Sequence, residues 1–128
     1  MNPKVDNKPK PRWYGYVYGS EYKGIIGSRR HEVPCSVCRS PLSTTIVVPG
    51  TLFCPAGWML QYSGRLVSQF NPLFASDYVC LDGNPEPLTE RSEMSNGNLV
   101  LYVLAVCGSL PCPPYVNETV MTCAVCSF

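Results

Sequence analysis

The β-branched run at residues 44–48 (T-T-I-V-V), closed by Pro49-Gly50, is the strongest strand pattern in the first half of the chain. Beyond it, Met59, Leu60, Tyr62, Leu66 and Val67 surround a Ser63-Gly64 break, a pattern that fits a hairpin or a single bulged strand. Residues 13–22 (W-Y-G-Y-V-Y-G-S-E-Y) alternate aromatic with small residues, which suits a strand packed on a sheet face or an aromatic adhesive patch. Residues 24–30 read as a loop. Asn96-Gly97 turns the chain into residues 99–106 (L-V-L-Y-V-L-A-V), apolar throughout and therefore expected as a strand buried on both faces. A last strand is expected over 119–125. Asp82-Gly83-Asn84-Pro85-Glu86-Pro87 is dense in turn formers, and the polar stretch after it continues as a surface loop to Ser95. Thirteen prolines and ten glycines leave no uninterrupted amphipathic helix. The expected class is all-β: a small antiparallel domain with long loops.

Composition sharpens this picture. Residues 1–12 combine prolines with basic side chains and have almost nothing to bury, so they read as a flexible arm. Ten Lys+Arg against nine Asp+Glu give no field that would draw nucleic acid or an anionic membrane. The longest apolar run, residues 99–107, is well short of the roughly 20 residues that span a bilayer. Eight cysteines in 128 residues favour an oxidising, extracellular setting. The opening residues lack the apolar region of a signal peptide, so export implies a leader upstream of Met1.

Two pairs of cysteines form C-x-x-C, Cys35 with Cys38 and Cys123 with Cys126. A zinc site shared by both pairs is one reading, although they lie much farther apart than the ~15–20 residues of compact zinc ribbons. A redox C-x-x-C at a helix start is another, although no helix pattern follows either motif. Structural disulfides are the third, with about a hundred possible connectivities.

Five segments carry a resemblance: V-P-C-S-V-C, C-P-A-G-W-M-L-Q-Y-S-G, Y-V-C-L-D-G-N-P-E, L-P-C-P-P-Y and T-C-A-V-C. Together they resemble the C-terminal non-collagenous region of the spongin short-chain collagens, over residues 16–128. More distantly, they are similar to the C-terminal domain of type IV collagen, whose two homologous halves each open on a C-P-S-G-W-like motif and close on a C-A-V-C-like one. The resemblance implies three disulfides, Cys54 with Cys126, Cys80 with Cys123, and Cys107 with Cys112. It also implies a division into a remnant of a preceding half at 13–43 and a stapled β domain at 44–128. Cys35 and Cys38 match the close of that preceding half, whose opening motif is not among these residues. They are therefore expected as free or intermolecular thiols, since an extended V-P-C-S-V-C places positions i and i+3 on opposite faces. No Gly-X-Y repeat is present.

No catalytic constellation is expected. The sole histidine, His31, sits among charged residues in an expected exposed loop, and neither Ser63 nor Ser109 lies in a nucleophile elbow. Asp77, Asp82, Glu86, Glu90 and Glu93 make an acidic stretch without the ligand spacing of a calcium loop. No metal or cofactor is implied. Asn117-Glu118-Thr119 is a glycosylation acceptor. Trp58 and Tyr62 are expected as core anchors, with ligand contact as their alternative role. The expected function is a non-enzymatic, secreted matrix or adhesive module that associates with like chains or other matrix proteins. The competing class is a secreted carbohydrate- or ligand-recognition module.

Overall fold

The structure, a computed structural model, describes residue 12 and residues 19–27, 30–70, 77–88 and 97–128. The expected arm apart from Arg12, most of the aromatic segment at 13–22, and Glu90 and Glu93 lie outside the described residues. The described chain is all-β. Its strands are β1 (Ser20–Tyr22), β2 (His31–Glu32), β3 (Thr45–Pro49), β4 (Met59–Gln69), β5 (Tyr78–Asp82), β6 (Asn98–Tyr102) and β7 (Thr122–Ser127). They form a single sheet in the order β2-β1-β6-β4-β7-β3, with β5 paired to β4. All pairings are antiparallel except β1 with β6. Through that parallel pair, β1 and β2, within residues 13–43, join the same sheet as residues 44–128.

Strand β4 organises the sheet. Its first part, from Met59 to Arg65, pairs with β7, and Val67, Ser68 and Gln69 pair with β6. Strand β5 pairs with Gly64 to Ser68. Gly64 and Arg65 thus have β7 on one edge and β5 on the other, and β6 continues the edge that β7 leaves. The change of partner occurs at Leu66. The Leu66 N–H donates to the Met121 carbonyl at 2.8 Å, and its own carbonyl accepts from Val103 N–H at 3.0 Å. Met121 N–H closes the junction on the Val103 carbonyl at 2.9 Å, so no backbone group is orphaned where three segments meet.

The sheet is creased along β4. Two strands flanking a third in a flat sheet lie about 10 Å apart. Cys80 of β5 and Cys123 of β7 nevertheless have Cα atoms 5.7 Å apart and are joined by a disulfide. Gly64 permits this: a Cβ there would overlap the Leu81 carbonyl oxygen and lie 2.7 Å from the Gly83 nitrogen. The backbone of β5 fills that space. Leu66, Cys80, Cys123 and Val125 form the core inside the crease, with Val103 and Met121 packed against them.

Several expectations change. Of the two readings of residues 59–67 the bulged strand holds and the hairpin does not: β4 runs through Ser63-Gly64 as one strand, with its irregularity a register shift between Leu60 and Tyr62 rather than at Ser63-Gly64. The strand expected at 99–106 ends at Tyr102, because the lead-in to β7 takes the edge of β4 at Leu66. Residues 103–105 pair with 119–121 instead, which leaves Leu104 and Val106 exposed. The last strand consequently begins at Thr122. His31, expected in an exposed loop, is 4% exposed in β2, opposite the buried Tyr22.

Replacing Gly64 by Ala is expected to cost more than about 4 kcal/mol, the range of severe core disruption. At Gly83 an added Cβ would meet the Ser63 carbonyl at 3.4 Å and the Gly64 Cα at 3.9 Å, both ordinary contacts, so Gly83→Ala is expected to cost under about 1 kcal/mol. Urea unfolding of the two oxidised variants measures the difference, and equal stability would refute the crease.

Candidate interaction surface

Strand β7 is held from both faces. Positions i and i+3 of a strand point to opposite sides, so Cys123 enters the core with Val125 while Cys126 faces away from it. Cys126 bridges to Cys54, in the loop before β4, and Cys123 bridges to Cys80. The third bridge, Cys107–Cys112, closes a small loop at the end of the molecule that β6 feeds. These are the pairs that the resemblance implies. Cys35 and Cys38 are unbridged and exposed.

Trp58 and Tyr62, expected as core anchors, lie outside the core: Trp58 is half-buried and Tyr62 is exposed. The Trp58 ring packs against Phe128 with centroids 5.5 Å apart, holding the approach to β4 onto the chain end. Tyr62 reaches across the crease, where its hydroxyl donates to the Cys80 carbonyl at 2.9 Å. Burial raises the Tyr62 phenol above its ordinary range, with added effect from the charges of Asp82 and Cys38. Asp82 accepts from Asn84 N–H at 2.8 Å, an Asx turn that ends β5. Among the described residues, no group of three or more His, Cys, Asp or Glu side chains is placed to hold a metal ion.

Asn117 is exposed on the turn that returns the chain to β7, and its Oδ1 accepts from Cys107 N–H at 3.0 Å. Glu118 there has φ of 58°, and the Thr119 hydroxyl donates to the Val116 carbonyl at 2.7 Å. The acceptor asparagine is therefore tied to the Cys107–Cys112 loop through its oxygen, which leaves its nitrogen as the free end of the amide.

The most extensive feature is apolar. Among the described residues, nine hydrophobic side chains are buried, three of them bridged cysteines, while sixteen large hydrophobics are exposed. Several of the exposed ones border a cleft of about 400 Å³ on the core side of the crease, between Val47 of β3, Tyr78 of β5 and the segment from Val103 to Val106. Its lining has no charged side chain, and its only side-chain polar group is the Tyr78 hydroxyl. Sequence reasoning missed this surface because residues 99–106 are apolar enough to pass for a buried strand.

No family model matches the chain, no curated protein matches it, and no solved structure matches it. No helix among the described residues is long and apolar enough to cross a membrane.

Proposed function

We propose that this chain is a secreted structural module of the extracellular matrix, of short-chain-collagen type, that assembles with like chains through its apolar β surface. The observation that carries this reading is the excess of exposed over buried large hydrophobics, four of which, Val47, Tyr78, Leu104 and Val106, line a cleft without charged side chains. Contiguous exposed apolar surface on a folded domain marks an interaction site. Three disulfides in so short a chain support an oxidising compartment, because the cytosol keeps thiols reduced. The motif resemblance supports the matrix role. A carbohydrate-recognition role has less support: Trp58 and Tyr62 are engaged by Phe128 and Cys80, and the cleft offers a sugar almost no hydrogen-bonding groups.

Sedimentation equilibrium of the oxidised chain is expected to show reversible self-association. A Leu104→Lys, Val106→Lys variant should weaken it at least about tenfold, or about 1.4 kcal/mol, with little change in melting temperature, since both side chains are exposed. A monomer at every concentration, together with saturable binding on a glycan array, would replace this reading with the recognition one.

A glycan on Asn117 belongs to the same reading. Expression in a eukaryotic secretory host should add mass that peptide-N-glycosidase removes with conversion of Asn117 to Asp. An unmodified Asn117 in that material would remove the glycan from the account.

A further inference from the structure

We infer that Cys35 and Cys38 are the sites through which two copies of this chain become covalently joined, an inference that rests on the extracellular, self-associating role proposed above. The segment that carries them is held at both ends and open between. Val33 N–H donates to the Ser20 carbonyl at 3.0 Å, fixing the start to the β1–β2 ribbon, and Thr44 and Phe128 exchange backbone bonds of 3.3 and 3.0 Å, fixing the end beside the residue that follows β7. Residues 34–39 are all exposed and belong to no strand. Val37, between the two thiols, is 99% exposed, the most exposed large hydrophobic among the described residues.

The same C-x-V-C pattern occurs in β7, where Val125 is 7% exposed and both cysteines are bridged. In residues 35–38 it is presented to solvent with both sulfurs free. The other six cysteines of these 128 residues are closed in pairs, so within these residues each of the two thiols has only the other as a partner. The structure does not join the two to each other: both sulfurs are free and exposed. A second copy brings an identical pair beside an identical apolar Val37. Self-association also raises the local thiol concentration toward the millimolar range of tethered groups.

The chemistry is thiol–disulfide exchange with a small-molecule disulfide as oxidant. A cysteine thiolate of one copy attacks it, and one small thiol leaves. The thiolate of the second copy then attacks the resulting mixed disulfide: the interchain S–S bond forms and the other small thiol leaves. Two cysteine sulfurs are oxidised, one small disulfide is reduced to two thiols, and the two protein protons pass to the leaving thiolates.

The test is to equilibrate the full chain in a buffer of reduced and oxidised glutathione, quench with a thiol alkylator, and analyse it by non-reducing electrophoresis and peptide mapping. The expected result is a covalent dimer that reductant dissolves and a chelator does not, with the crosslink mapped to Cys35 or Cys38. A Cys35→Ser, Cys38→Ser variant, altered only at exposed positions, should lose all covalent dimer. A monomeric Cys35–Cys38 disulfide, thiols that stay free or capped by glutathione, or a dimer dissolved by chelator would each overturn the inference. Sedimentation equilibrium of the double variant separates the two readings. Reversible association without crosslinking in wild type would sink the inference alone, whereas no association in either protein would sink both.

Discussion

The space beside Gly64 is filled by the backbone of β5, and the rest of the fold depends on that contact. Because no side chain stands there, β5 folds over β4 instead of continuing a flat sheet. Cys80 is thereby carried across to Cys123, and Leu66 and Val125 are enclosed with them. The Tyr62 hydroxyl bonds to the Cys80 carbonyl over the same crease. The cleft is the outer continuation of this fold, with Leu66, Val103 and Met121 shared between its floor and the core.

So small a core needs support from covalent bonds. Its buried side chains include two alanines and three bridged cysteines, each of which contributes less apolar area than leucine or phenylalanine. In the chain-entropy picture, bridges closing separations of 72 and 43 residues each remove about 4 kcal/mol of unfolded-state freedom, and the five-residue one about 2, though nested loops do not add. Stability of this origin releases large apolar side chains from the interior. They remain on the surface.

The fold class was legible in the sequence, and so was strand β3, because Thr45 to Val48 is β-branched and bounded by Pro49-Gly50. Proline at that boundary is tolerated because β3 lies at the sheet edge. Strand β5 was not legible: Tyr78 to Asp82 lies inside the acidic stretch and runs directly into a run of turn formers, and its pairing depends on a vacancy at Gly64 that periodicity does not reveal. Residues 99–106 misled because uniform apolarity does not say which part pairs. The switch at Leu66 is a tertiary event, set by Met121, far later in the chain. His31 misled for a related reason, since its charged neighbours in sequence are not its neighbours in the sheet. The cleft arises only when β3, β5 and the segment after β6 converge, so no local pattern announced it. The cysteine partners were likewise not readable from spacing, and only the motif resemblance named them.

The creased sheet is tested most directly by locating the disulfides in the oxidised protein. Proteolysis without reduction, followed by mass spectrometry, should recover a peptide pair joining Cys80 to Cys123 and another joining Cys54 to Cys126. Flanking strands of an uncreased sheet hold Cys80 and Cys123 beyond bonding reach, so recovery of Cys54 joined to Cys80, or of Cys123 joined to Cys126, would contradict the account.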